Sequence, residues 1–246
     1  MNQVRGTERR VAFFGGSFDP PHLGHLVVAR AARIGLDLDT VLFAPVGAQP
    51  LKQRGSTASF EDRLAMTRLA IAGEPGFEIS LADAPDGAGK PNYSIETLER
   101  LRVELGPGCK LYFLMGADSF LGLRKWHRAS EIPFAAPLIV ASRPGQRLEG
   151  VKAALPAGLT IEATPERDWR AGNLEVRAYE LRNSAGEVAE FYLLPGLDCD
   201  ISATEVRAQM RTSMRAQEEA GEIEGGGEQM VPEAVARYVR ANGLYQ

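Results

Sequence analysis

The chain has 246 residues, 44% hydrophobic and 24% charged, enough apolar material for a sizeable core without disulfide staples. Its formal net charge of −4 argues against non-specific nucleic-acid binding, in which a basic face supplies most of the affinity. The two cysteines, Cys109 and Cys199, have neither C-x-x-C nor zinc spacing, and no apolar run reaches membrane-spanning length. These features predict a cytoplasmic protein with reduced thiols, no nucleic-acid partner and no membrane partner.

In chain order, "VAFFGG" reads as a buried strand ending at glycines, and "HLVVARAARIGL" carries apolar residues at helical spacing. "TVLFAP" is a second strand. "SFEDRLAMTRLAIAG" is a helix, with Ser59 and Asp62 as a capping box and Gly73 as its stop. "FEISLA" is a third, weaker strand and "SIETLERLRVEL" a further helix, followed by strands in "KLYFLMG" and "APLIVASRPG". Near-continuous apolar strands alternating with helices predict a doubly wound α/β fold: a mostly parallel, Rossmann-like sheet with helices on both faces.

Residues 146–189 break this rhythm and are expected to form an insertion within a single domain spanning residues 1–246. "LEVRAYELRNSAGEVAEFYLL" alternates on either side of Asn-Ser-Ala-Gly and predicts a β-hairpin. "ISATEVRAQMR" starts a helix, with Ser202 and Glu205 as a second capping box. Residues 213–229, rich in glycine and acidic residues, are expected to be a flexible acidic loop. "VPEAVARYVRANGLYQ" closes the chain as a helix, with Pro232 in its first turn and Gly243 at its end.

The densest chemistry lies in "GGSFDPPHLGH", residues 15–25, where two of the chain's three histidines fall. In an open parallel sheet, ligands bind beyond the carboxyl ends of the strands. Gly15 and Gly16 let a ligand approach the backbone, and the following helix aims unpaired N–H groups outward, a setting for anions. The spacing is neither G-x-G-x-x-G nor G-x-x-x-x-G-K-[ST], which removes the dinucleotide and Walker readings. His22 and His25, one helical turn apart, can each donate a hydrogen bond to a phosphate oxygen, more strongly as cations. No third histidine and no cysteine cluster lies near enough in sequence to complete a metal site.

"GGSFDPPHLGH" resembles the first signature of the H-x-G-H nucleotidyltransferase superfamily, and "ISATEVR" resembles its second, I-S-[ST]-x-x-R. "PNYSIETL", "FLMGADSF", "KWHRASEI", "ASRPG" and "VARYVRANGLY" narrow the resemblance to the nicotinate-nucleotide adenylyltransferase family. The likeness covers roughly residues 11–145 and 190–246. Ser94 stands where that family usually has threonine, and "QPLK" replaces its P-P-H-K while keeping Lys52.

The resemblance implies adenylyl transfer from ATP to nicotinate mononucleotide in NAD biosynthesis. Mg²⁺ would be carried mainly by the ATP phosphates, and no protein side chains are assigned as metal ligands. It implies His22, His25 and Arg207 as catalytic, with His25 at the α-phosphate and Thr204 and Arg207 at the β- and γ-phosphates. Gly15, Gly16, Ser17, Phe18, Gly116, Asp118, Ile201 and Ser202 join them around ATP, Asp118 on ribose hydroxyls. Lys52, Tyr93, Ser94 and Trp126 fall to the acceptor, Trp126 by stacking on its pyridine ring. Four alternatives stay open: nicotinamide mononucleotide as acceptor, another phosphate acceptor such as phosphopantetheine, cytidylyl transfer, and a non-catalytic nucleotide sensor. Homo-oligomerisation also stays open.

Overall fold

A computed structural model describes residues 8–50, 55–87, 89–142, 148–197, 201–220 and 230–246. The elements are β1 (Arg9–Gly16), α1 (Leu23–Gly35), β2 (Thr40–Pro45), α2 (Phe60–Ile71), β3 (Phe77–Ile79), α3 (Ser94–Leu105), β4 (Cys109–Gly116) and α4 (Ala117–Leu121). They continue with α5 (Ile132–Ala135), β5 (Leu138–Ala141), α6 (Leu148–Ala154), β6 (Thr160–Ala163), β7 (Trp169–Ala171), β8 (Leu174–Arg182), β9 (Val188–Leu194), α7 (Ala203–Ala220) and α8 (Glu233–Ala241).

Among the described residues, nine strands form the sheet in the order β3-β2-β1-β4-β5-β9-β8-β6, with β7 beside β8. The order 3-2-1-4-5 is that of a doubly wound nucleotide-binding sheet, as the sequence predicts. β1 runs parallel to β4, β4 to β5, and β5 to β9, with Val11 opposite Leu111 and Leu138 opposite Phe191. Such strands are buried on both faces, which is why "VAFF" and "LIVA" are apolar without alternation.

The chain divides into two compact units. The first comprises Met1–Gly15, Val28–Leu42 and Tyr93–Leu197. Its core is the strand interior, where Val11, Phe13, Leu114, Leu138, Ile139 and Phe191 are fully buried. Helix α3 packs on β4 and α5, and α4 packs on β4, β5 and α6. The expected hairpin is present: β8 pairs antiparallel with β9 around a turn closed by Gly186 at φ +80°. Because β9 also pairs with β5, this hairpin extends the central sheet. Residues 146–189 also contain α6, β6 and β7, which no periodicity in the sequence marks.

The second unit comprises Gly16–Val27, Phe43–Asn92 and Asp198–Gln246. Its apolar centre joins Met66 and Ala70 of α2, Val206 and Met210 of α7, and Val235, Ala236 and Val239 of α8. Ser59 caps α2 as expected, accepting a hydrogen bond from the Asp62 N–H at 3.0 Å. One expectation needs correction. Helix α7 continues to Ala220, so residues 213–220 are helical and not loop. Those eight residues, "SMRAQEEA", contain no glycine and several strong helix formers, so an established helix propagates through them. The glycines that suggested a loop begin at Gly221, and residues 221–229 lie outside the described residues, as do Cys199 and the Arg-Pro-Gly turn at 143–145.

Candidate functional site

The second unit gathers residues 16–25 of the first signature stretch and the whole of the second. Between the end of β1 and the start of α1, residues 17–22 form a loop whose conformation is fixed by buried contacts. Phe18 takes a left-handed φ of +48° and is buried, with its ring edge-on to His25 at 4.9 Å and 5.6 Å from the Phe43 ring. A Cβ on Gly16 would lie 3.2–3.4 Å from the Phe18 ring, so this glycine makes room for a phenyl group. The sequence reading gave that freedom to a ligand.

The three-residue spacing of His22 and His25 has a local cause. His22 occupies the position before the first turn of α1 and His25 the third position within it. The backbone N–H of His22 donates to Nδ1 of His25 at 3.1 Å, and the N–H of His25 donates to the carbonyl of His22 at 3.0 Å. A side chain reaching back to the N-cap N–H is the logic of a capping box, with imidazole replacing the usual carboxylate. The bond makes Nδ1 an acceptor, which leaves the proton on Nε2. The two imidazoles stack, with centroids 3.7 Å apart and planes at 33°. Burial holds His25 well below the ordinary histidine range, and neighbouring His22 pushes it the same way. His25 is therefore set up as a neutral Nε2–H donor, and the stronger donation open to a cationic ring is disfavoured here.

Asp19 anchors the loop. Its carboxylate is buried and accepts hydrogen bonds from the N–H groups of Thr57 (2.6 Å) and Ala58 (3.1 Å) and from the Tyr245 hydroxyl (2.8 Å). Arg63, 2% exposed, donates from Nη1 to the Ser17 carbonyl at 2.7 Å and from Nε to the Ala58 carbonyl at 3.3 Å. Burial pulls the Arg63 guanidinium below its ordinary value, against the pull of Asp19. Gln49 donates to the Ser17 hydroxyl at 2.8 Å.

Arg207 brings the second signature to this loop. From α7 it donates through Nη1 to the Asp19 carbonyl at 2.7 Å and through Nη2 to the Thr204 hydroxyl at 3.3 Å. The start of α7 carries the expected capping box: Ser202 accepts from the Glu205 N–H at 3.2 Å, and Glu205 accepts from the Ser202 N–H at 3.0 Å. Thr204 is exposed, while Ile201 packs against the α2–α7–α8 cluster. A stacked imidazole pair, a neutral Nε2–H donor, a guanidinium and a helix N-terminus form a donor set suited to anionic oxygens.

The first unit carries Gly15, Tyr93, Ser94, Gly116, Asp118 and Trp126. Gly116 ends β4 and caps α4, so Asp118 sits in the first turn of that helix, exposed, and is not its cap. Tyr93 precedes α3 and Ser94 begins it. The Tyr93 ring stacks on His127 at 4.4 Å, and half-buried Trp126 lies 6.1 Å from Phe113. Lys52 lies outside the described residues.

Residues 13–209 match the Cytidylyltransferase-like family. A protein of Gloeobacter violaceus named "Probable nicotinate-nucleotide adenylyltransferase" is 35% identical over 96% of this chain and 96% of its own length. The chain belongs to the nicotinate-nucleotide adenylyltransferase family. A second relative with the same name, from Stenotrophomonas maltophilia, is 37% identical over 95% of this chain and 96% of its own length. Among solved structures, "Plasmodium falciparum nicotinic acid mononucleotide adenylyltransferase complexed with NaAD" superposes with a TM-score of 0.65 at 16% identity, covering 97% of this chain and 98% of that one. It shows that the fold is that of a nicotinate-nucleotide adenylyltransferase. No helix among the described residues is long and apolar enough to cross a membrane.

Three residues in or near the signature stretches have contacts that the sequence does not announce. Asp19 sits inside the first signature, yet only the fold shows that its carboxylate is consumed by Thr57, Ala58 and Tyr245. Arg63 reads as an ordinary helix-face arginine. His127, the third histidine, gains meaning only through its stack on Tyr93.

Proposed function

We propose that the protein transfers the adenylyl group of ATP to nicotinate mononucleotide, giving nicotinate adenine dinucleotide and pyrophosphate. An oxygen of the acceptor phosphate attacks the α-phosphorus in line as the bond to the β-phosphate oxygen breaks, and pyrophosphate departs with that electron pair. The acceptor phosphate is already anionic, so no general base is needed. The work left to the protein is positioning and charge stabilisation.

Two anions about 4 Å apart repel by ~4 kcal/mol at an effective dielectric constant of about 20, and donors aimed at the phosphate oxygens offset this. His25 donates from Nε2 to the α-phosphate, with His22 beside it, and Arg207 and Thr204 serve the β- and γ-phosphates with the N–H groups opening α7. Ser17 and the backbone at Gly15 and Gly16 line the approach of the triphosphate, and Asp118 holds ribose hydroxyls. Trp126, Tyr93, Ser94 and Lys52 serve the acceptor. A divalent cation such as Mg²⁺ would be carried by the ATP substrate rather than by protein side chains, and would supply charge neutralisation. The donor set of this loop suits phosphate oxygens and not a cation, which supports a metal carried by the substrate. A cytoplasmic location, where ATP is abundant, fits this reaction.

One observation carries this reading: the 2.7 Å bond from Arg207 to the Asp19 carbonyl brings the second signature onto the loop of the first, across 188 residues of sequence. The test is pyrophosphate release by the purified protein with ATP or CTP and each of three acceptors: nicotinate mononucleotide, nicotinamide mononucleotide and phosphopantetheine. Transfer is expected with ATP and nicotinate mononucleotide. Turnover of phosphopantetheine alone, or of CTP alone, would overturn the assignment, and ATP binding without turnover of any acceptor would favour the sensor.

A further inference from the structure

We propose that Tyr245, the penultimate residue, is a positioning residue for the phosphate grip: its hydroxyl holds Asp19, and the Asp19 carbonyl in turn holds Arg207. The inference rests on the adenylyl-transfer reading and extends it to the end of the chain.

An arginine reaching from a helix has several rotatable bonds, and gripping a phosphate requires that most of that freedom be removed beforehand. The anchor on the loop side is a main-chain carbonyl, that of Asp19, 2.7 Å from Nη1 of Arg207. A carbonyl is only as well placed as its peptide. The Asp19 side chain fixes that peptide through Thr57, Ala58 and Tyr245. Two of these donors are backbone groups of one neighbouring segment; the third comes from 226 residues away.

The tail is shaped to deliver that third donor. Helix α8 ends at Ala241, Gly243 turns the chain at φ +58°, and Leu244 N–H returns to the Val239 carbonyl at 3.0 Å. Tyr245 then takes φ +67°, a conformation unfavourable for a bulky side chain and held only where the surroundings impose it. They do so in two ways. Arg211 of α7 donates from Nε to the Tyr245 carbonyl at 3.0 Å, and the ring is buried in the α2–α7–α8 cluster. Phenylalanine would fill the same hole, so packing does not explain the hydroxyl; the bond to Asp19 does. Burial and the adjacent Asp19 carboxylate push the Tyr245 hydroxyl above its ordinary value, so it remains a donor throughout the working pH range. Arg207 and Arg211 both lie on α7, so the tail and the grip are referred to one helix.

The test is a double-mutant cycle of Tyr245→Phe and Arg207→Ala, read as ATP affinity by calorimetry and as kcat/KM for ATP and for nicotinate mononucleotide. Tyr245→Phe alone should weaken ATP binding and lower kcat/KM for ATP by about tenfold, with the KM for nicotinate mononucleotide unchanged. In the Arg207→Ala background it should cost less than about twofold, because the group it positions is gone. The same loss in both backgrounds, or a lowered melting temperature with unchanged ATP parameters, overturns the proposal and leaves a structural staple. If Tyr245→Phe fails to fold, Arg211→Met releases only the tail carbonyl and should reproduce the ATP-selective loss; an unchanged ATP affinity then overturns the proposal. A wild-type protein that binds ATP but does not use nicotinate mononucleotide defeats the adenylyl-transfer reading alone, since the cycle in ATP affinity still decides the role of Tyr245. A wild-type protein that binds no ATP defeats both.

Discussion

Replacing His25 separates the local cap seen in the structure from the phosphate-donor role proposed for it. The backbone N–H of His22 fixes Nδ1 as an acceptor at 3.1 Å, so the group proposed to meet the phosphate is the Nε2–H of a neutral ring. His25→Ala removes that donor from the developing charge. Loss of one such preorganised donor costs about 3–4 kcal/mol, or ~100–1000-fold in kcat. His25→Gln places an amide N–H close to the position of Nε2 and should recover part of the loss, about tenfold or more for a hydrogen bond to a charged oxygen. The assay is steady-state pyrophosphate release from ATP and nicotinate mononucleotide between about pH 6 and 9, with circular dichroism to verify folding. In kcat/KM for ATP, which reports the free enzyme, no ionisation belonging to His25 should appear near pH 6.5, because burial and His22 hold it well below its ordinary value. Any limb that His25→Gln shares with the wild type belongs to a group other than His25. A kcat of His25→Ala within twofold of wild type refutes the donor role. An acid-side gain in wild type that His25→Gln lacks refutes the neutral ring.

The same histidine makes stability depend on pH. In the unfolded chain it takes a proton near pH 6.5, whereas the folded state resists it, so the unfolded state binds more protons below that pH. The melting temperature should therefore fall as pH drops through about 6.5 toward the lower folded value, and less steeply in His25→Gln; identical slopes would contradict the burial argument. Gly47→Ala should destabilise by ~1–3 kcal/mol, because a Cβ there would lie 2.6 Å from the backbone nitrogen of Pro85, which cannot swing aside. Urea unfolding measures it, and an unchanged midpoint would mean that the segment carrying Pro85 yields freely.

Periodicity and local hydrogen bonding made much of this protein legible. Apolar runs such as "VAFF" announce strands buried on both faces, and the parallel sheet follows from them. The capping boxes at Ser59 and Ser202 close within four residues, so the sequence that spells them also builds them. The hairpin at 174–194 was legible for the same reason. The seven-residue α6 and the short strands β6 and β7 carry too few residues to reveal a period. The end of α7 misled because glycines beyond position 220 coloured the reading of helix-forming residues before them.

By itself, then, the sequence determined the strand–helix alternation and the two signature stretches, since each is written in residues that interact with close neighbours. Only the tertiary structure decided that Arg207 hangs from the Asp19 carbonyl, that Arg63 is buried beneath Ser17, and that Tyr245, the last tyrosine, returns to hold the first loop. It also decided that His25 is neutral, because that depends on how much water the fold removes from around the ring. These contacts span 46 to 226 residues of chain, and at such separations no local propensity selects a partner. Only packing of the completed fold selects one.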